Sequence, residues 1–192
     1  WRKLKNKNSK EAKKCLDTAF SKIESCQNID ARNGYSIVGY TLYWHIERSR
    51  QMDTTEYAQR ISDITKAKTS ECNAFIEGTR AFALSFLRPR FAESLKYYRA
   101  ALLVLPNHID WLFGFALVLG RKARMKGNKK DMKTEKKFYK KILQLDSTHV
   151  LAMVFLAQNK YRRHGRYDED QVKHMFDDAL TLARRDKYAH TK

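Results

Sequence analysis

Basic and aromatic side chains recur in this sequence in an arrangement suited to binding nucleic acid. A guanidinium group holds a phosphate through two parallel hydrogen bonds, and a flat aromatic ring stacks on an unpaired base. These residue types therefore predict a binding surface rather than a catalytic centre. The candidate contacts are Arg121, Lys122, Arg124, Gln158, Tyr161, Arg162, Tyr40 and Tyr43.

The net charge favours an anionic partner. The 192 residues include 39 lysines and arginines against 21 aspartates and glutamates, a net charge of +18. Much of the excess lies in residues 121–141, where the only acidic residues are Asp131 and Glu135. Such a field attracts polyanions, because the neutralised phosphates release their counterions. A solvated, lysine-rich helix surface without a specific partner is the alternative.

A repeated pattern organises the chain that must position these residues. Self-similarity at a fixed period predicts an array of helical hairpins, each of which buries its apolar face only against its neighbours. Function then belongs to a surface of the array. One set of residues is Tyr98, Leu112, Phe115, Ala116 and Arg121, and the same separations recur in Tyr139, Met153, Leu156, Ala157 and Arg162.

Hydrophobic periodicity predicts about nine helices and no strand, which is an all-α fold. Ser9 and Asp53 are expected helix caps. Asn33-Gly34 predicts a turn, and Pro89 is expected to end the helix before it. The helices are expected at 10–27, 35–50, a stretch after the cap at Asp53, 70–86, 90–105, 108–125, 129–144, 148–164 and 168–185.

The order of large and small side chains indicates the type of hairpin. Leu112, Phe115 and Ala116 are expected to pack inward from one helix, and Tyr98 and Ala101 from its partner. This order resembles the tetratricopeptide repeat, which implies a right-handed helical solenoid. An unrelated helical bundle is the alternative. In the last hairpin the corresponding inward residues are Phe176 and Ala179.

The whole chain, 1–192, is expected to form a single array and to be a fragment of a longer protein. The hairpin that contains the basic run is long, because Pro106 and Ser147 are 41 positions apart whereas about 34 are typical. The extra length either adds basic surface that faces phosphates or reflects sequence drift in a linker. The expected segments are 9–27, as the second helix of a truncated repeat, and the hairpins 32–67, 70–106, 107–147 and 148–185.

The first helix of each tetratricopeptide hairpin lines the concave surface, and helical spacing assigns three stripes to it. An inner wall that is both aromatic and basic suits single-stranded RNA. Packing between hairpins is an alternative role for Tyr40 and Trp44. The stripes are Ser36, Tyr40, Tyr43 and Trp44; Phe113, Leu117, Gly120 and Arg121; and Val154, Gln158, Tyr161 and Arg162.

Four segments together resemble one family, the interferon-induced proteins with tetratricopeptide repeats. They are EAKKCLDTA at 11–19, LYWHI at 42–46, GFA at 114–116 with Arg121 after it, and KYRR at 160–163. The resemblance implies a cytosolic antiviral effector that is not an enzyme and has no cofactor. It implies that a basic channel holds the 5′ end of foreign RNA, triphosphorylated or incompletely capped, and that homologous repeat proteins are further partners.

The same resemblance assigns roles to individual residues. Arg121 matches a channel arginine that contacts the 5′ phosphates, and Tyr161 and Arg162 match a segment that touches the first nucleotides. Two departures stand against a complete pocket. A lysine that the family places near the end of the helix before residue 88 is replaced here by Ser85 or Phe82, and an RNA-binding helix that precedes this region in the family is absent from the sequence.

The sequence also bears on functions other than RNA binding. A scaffold for an acidic peptide is the main alternative, because a basic wall attracts carboxylates as well as phosphates. An enzyme is disfavoured, since the sequence has no glycine-rich phosphate loop and no metal-spaced cluster of histidine and cysteine. The sequence contains no run of about 18 consecutive apolar residues, so it predicts no membrane span. The odd number of cysteines, Cys15, Cys26 and Cys72, favours a reducing compartment, and hence the cytoplasm.

Overall fold

The structure is a computed structural model that describes the backbone of residues 2–66, 68–164 and 169–189. Side chains are described within these ranges except at 2–8, 49, 88, 162–164, 169 and 185–189. The described residues form nine α-helices and one 3₁₀ turn, and no strand. The predicted all-α class is confirmed. The helices are α1 (Arg2–Glu24), α2 (Ile29–Ser49), α3 (Thr55–Lys66), α4 (Ser70–Leu84), α5 (Phe91–Val104), α6 (Ile109–Lys126), α7 (Lys129–Leu145), α8 (Val150–His164) and α9 (Glu169–Ala189), and the turn is Arg88–Arg90.

The helices belong to two compact units. One comprises Trp1–Arg80 and Leu103–Leu105, and the other comprises Ala81–Leu102 and Pro106–Lys192. A single continuous array with a right-handed superhelix stays a prediction. Within the described residues, no helix combines the length and the apolar character needed to cross a membrane.

In the first unit, α2 packs against both α1 and α3. Aromatic rings fill the space between these three helices, and the Phe20 ring lies 4.7 Å from Tyr40 and 5.4 Å from Tyr43. Glu47 is buried near the end of α2, where its carboxylate pairs with Lys13 at 2.9 Å and Arg50 at 3.1 Å. These contacts fix the face of α2 that carries two of the predicted RNA contacts.

The starts of the first two helices differ from the prediction. Ser9 lies inside α1, which begins at Arg2, because no glycine or proline interrupts the preceding residues. The predicted turn at Asn33-Gly34 is helical, since Asn28 caps α2 by accepting the Ala31 N–H at 2.8 Å. Gly34 serves helix packing instead: a Cβ atom there would lie 2.6 Å from Cβ of Phe75.

The second unit has the core that the repeat pattern predicts. Helix α7 packs against α6 and α8, and α8 packs against α9. Buried residues from three of these helices form one cluster, which confirms the inward positions assigned to the repeat. The cluster consists of Leu112, Ala116, Tyr139, Ile142, Ala152 and Leu156, and Tyr98, Ala101, Phe115, Ala157 and Ala179 are buried as well.

The predicted inward position of Phe176 is wrong. Its side chain is exposed, whereas Val172 and Ala179 are buried and Met175 packs against the cluster. Neighbouring helical residues are rotated by about 100° from each other, so the stripe that contains Met175 turns Phe176 toward solvent.

The turn between α6 and α7 is where the sequence places it. Gly127 ends α6 in the left-handed conformation, with φ 63° and ψ 21°, which glycine adopts without steric cost. Asn128 then caps α7 by accepting the N–H groups of Lys130 at 3.0 Å and Asp131 at 3.2 Å. The tight connection brings the end of α6 beside the start of α7.

Candidate nucleic-acid interface

A cavity of about 430 Å³ opens beside the end of α6 in the second unit. Helix α6 contributes three residues at the i, i+3 and i+4 spacing that shares one helix face. The others come from the segment after α4 and from the first residue of α5. The volume lies in the range of about 300–1,000 Å³ that is usual for small-ligand pockets. The lining residues are Ser85, Phe86, Phe91, Arg121, Arg124 and Met125.

Arg121 lines the cavity and has a guanidinium group that could bind an anion. Its side chain is exposed, as expected for a residue outside the buried face of α6. Its Nη1 lies 3.5 Å from the carbonyl oxygen of Ser85, which is a weak hydrogen bond. Arg121 forms no ion pair with any other described residue. Its charge is therefore not compensated by a carboxylate in the part of the chain that the structure describes.

Arg124 has a structural partner. Its Nη1 donates to both carboxylate oxygens of Glu135, at 3.1 and 3.2 Å. Glu135 is only 1% exposed, and it also accepts hydrogen bonds from the Tyr139 hydroxyl at 3.3 Å and from Nδ2 of Asn159 at 3.1 Å. Burial, and then the Glu135 charge, raise the pKa of Tyr139 above its ordinary value, so Tyr139 is a neutral donor. The network joins α6, α7 and α8 behind the cavity.

Gly120, which the sequence assigns to the concave stripe, is a buried position of α6. It is buried beneath Glu135, because a Cβ atom at this position would lie 2.0 Å from Oε1 of that residue. The absence of a side chain at position 120 is what allows the carboxylate to reach Arg124. Lys122 is half-buried on α6 and does not line the cavity.

The second predicted group lies on α8, away from the cavity lining. Tyr161 is exposed, so its ring is accessible. Gln158 is half-buried, and the side chain of Arg162 lies outside the described residues. The structure thus places Tyr161 at a surface but does not bring it into the cavity with Arg121.

Tyr43, one of the predicted RNA contacts, is a core residue of the first unit. Only 6% of it is exposed, and its ring stacks 5.4 Å from both Phe20 and Tyr57. Its hydroxyl donates to Asp17, and burial raises its pKa. Both ring faces are used by neighbours from α1 and α3, so none is left for a base.

Tyr40 is half-buried and belongs to the same aromatic cluster. Its hydroxyl accepts a hydrogen bond from Nη1 of Arg60 at 3.3 Å, and the guanidinium carbon of Arg60 lies 5.5 Å from the ring centre. These contacts agree with the packing role that the sequence left open for Tyr40.

The basic run forms a lysine-rich face on α7. Its two acidic residues are engaged within the fold, since Glu135 is buried and Asp131 accepts a hydrogen bond from Asn128 at 2.9 Å. The exposed lysines form no ion pairs with described acidic residues, so they contribute uncompensated positive charge. They are Lys129, Lys130, Lys133, Lys137 and Lys140.

Four of the cavity residues, Ser85, Phe86, Phe91 and Met125, were not among the sequence candidates, and two of these four are exposed. Phe86 is 66% exposed and Met125 is 61% exposed. The available signal was that both are large apolar residues outside the buried stripes of α4 and α6. Phe86 also lies just before the break at Arg88–Arg90, where a side chain is presented by a helix end.

The fold and the cavity define an all-helical protein with a cationic pocket edged by apolar side chains. No protein-family model matches the chain, and no curated protein matches it.

Proposed function

We propose that this chain is an RNA-binding tetratricopeptide-repeat protein of the interferon-induced type. In this proposal it acts in the cytoplasm as an innate antiviral effector, without catalysis. It holds single-stranded or 5′-phosphorylated foreign RNA at a basic surface that includes Arg121. The proposal combines the sequence resemblance with the chemistry of the cavity.

The observation that carries the proposal is the state of Arg121. An exposed guanidinium that pairs with no described carboxylate, set at the edge of a cavity, is suited to bind a phosphate through charge-assisted hydrogen bonds. Arg124 lines the same cavity, but its charge is offset by Glu135. Among the described lining residues, Arg121 therefore supplies the positive charge that no described carboxylate offsets.

The lysine face of α7 supports a polyanionic ligand. Its positive charge is not offset by acidic side chains among the described residues, so it attracts a phosphate backbone over a longer range. An RNA whose end lies at Arg121 would gain affinity from this field without specific contacts.

An acidic protein or peptide is the second candidate partner. The same lysine face favours it, because carboxylates respond to the field as phosphates do. The apolar lining of the cavity favours RNA over an acidic peptide, since aspartate and glutamate side chains have no flat ring to pack against Phe86 or Met125.

Binding of four matched probes tests the proposal. A short RNA with a 5′-triphosphate, a 5′-monophosphate or a 5′-hydroxyl is compared with an acidic peptide of similar charge, at one fixed salt concentration. We expect the RNAs to bind more tightly than the peptide and to displace it, with a preference for the phosphorylated ends. Displacement of RNA by the peptide at equal concentration would favour the peptide scaffold instead.

A further inference from the structure

Phe86 is an exposed aromatic residue at the edge of the Arg121 cavity. Phe86 follows Ser85 in the sequence, and the carbonyl oxygen of Ser85 is 3.5 Å from Nη1 of Arg121. The Phe86 ring and the Arg121 guanidinium therefore belong to the same small region of the surface. Exposing two-thirds of a phenylalanine forgoes the burial that usually stabilises this residue. The position is therefore one where a ligand would regain that burial.

The surroundings keep the Phe86 ring in place without covering it. Phe82 packs against it at 5.1 Å between ring centres and at an angle of 89°, which is the edge-to-face geometry that aromatic pairs favour. Met125, also exposed, lines the same cavity from α6. The cavity thus has a cation and a flat apolar wall.

We propose that Phe86 is the stacking platform for the base of the same nucleotide whose phosphate Arg121 binds. This inference rests on the proposed function and specifies its ligand: the cavity takes a terminal nucleotide with an intact base, not a bare phosphate or a carboxylate. Stacking also favours a purine, because its larger ring system covers more of the phenylalanine. The specificity of the site then comes from Phe86, and its charge from Arg121.

The test uses two short, single-stranded RNAs with a 5′-phosphate that differ only in the first nucleotide. One begins with adenosine and the other with an abasic nucleotide. Both are measured against the wild type and against Phe86→Leu, which removes the ring but keeps an apolar side chain. Leu103→Ala is the control, because Leu103 is 85% exposed and does not line the cavity.

We expect Phe86→Leu to weaken binding of the adenosine RNA by about 5- to 100-fold, the range of one base–aromatic stacking contact. The abasic RNA should bind the wild type and Phe86→Leu equally, and Leu103→Ala should change neither. Phe86→Trp should retain or strengthen binding of the adenosine RNA. The retained binding by Phe86→Trp separates loss of the ring from loss of the fold.

Two results would overturn the inference in distinguishable ways. If Phe86→Leu binds both RNAs as the wild type does, or weakens both equally, Phe86 is not a stacking platform; continued sensitivity of both RNAs to Arg121→Glu would then keep the proposed function. If the wild type binds neither RNA, the proposed function fails and the stacking role fails with it.

Discussion

Nη1 of Arg124 donates to both carboxylate oxygens of Glu135, at 3.1 and 3.2 Å. Glu135 is almost fully buried, and its carboxylate packs directly against Gly120. An unpaired carboxylate in this position would be costly. Arg124, Tyr139 and Asn159 together satisfy it. The cavity wall is therefore fixed by an ion pair that depends on the absence of a side chain at position 120.

Gly120→Ala tests this dependence by the sign of its effect. Alanine normally stabilises a helix interior by about 1 kcal/mol relative to glycine. Here the new Cβ would meet a carboxylate that three donors hold in place, so we expect a loss of about 1–3 kcal/mol. Urea unfolding measures the difference. The loss should shrink in a Glu135→Ala background, and an unchanged loss there would show that the two positions are not coupled.

Tyr161→Ala should weaken single-stranded RNA by about 1–3 kcal/mol, because the exposed ring can stack on a base. Duplex RNA should be unaffected, since its bases are already stacked on each other. Fluorescence anisotropy with both RNAs measures the difference. An equal loss on the two would contradict a stacking role for Tyr161.

Leu112→Ala should reduce the free energy of unfolding by about 2–5 kcal/mol. Leu112 is 1% exposed and belongs to the core cluster of the second unit. Leu103→Ala, at an exposed position, should remain within about 0.5 kcal/mol of the wild type. A small effect at Leu112 in chemical denaturation would mean that the buried face of α6 is misassigned.

His108 makes stability depend on pH. It is half-buried and stacked 3.8 Å from Trp111, and burial lowers its pKa below the ordinary value of 6.5 although Asp110 opposes the shift. The unfolded chain therefore takes up the proton first. The contribution of His108 to the free energy of unfolding is present above about pH 6.5, and it is lost as the pH falls toward the lower pKa of His108 in the folded state.

His108→Asn should flatten this dependence. Unfolding free energies measured by urea denaturation between pH 7.5 and 5.5 should fall less in the variant than in the wild type. The same slope in both proteins would assign the pH dependence to other groups.

The fold was predictable where local pattern decides it. Hydrophobic periodicity located the helices, and Gly127 with Asn128 marked the turn between α6 and α7. Ser9 and Asn33-Gly34 misled because these residues stop a helix only when its apolar stripe also ends there. Gly34 instead lies within α2, where Phe75 packs against the space that a side chain would occupy.

The site was predictable only in part. The exposure of Arg121 was predictable, because its position relative to the repeat places it outside the buried face of α6. Periodicity could not distinguish Tyr43 from a surface aromatic, since its burial depends on two further helices. The pairing of Glu135 with Arg124 and Asn159 arises from contacts between separate helices, which no spacing within one helix reveals.

The most direct test of the account is the RNA affinity of Arg121→Glu compared with Arg184→Glu. The second change alters the net charge equally at an exposed position of α9 outside the cavity lining. With 5′-phosphorylated single-stranded RNA, we expect Arg121→Glu to lose at least about 10- to 100-fold in affinity while keeping the wild-type melting temperature, and Arg184→Glu to lose much less. Equal affinities for the two variants would contradict a phosphate-binding role for Arg121.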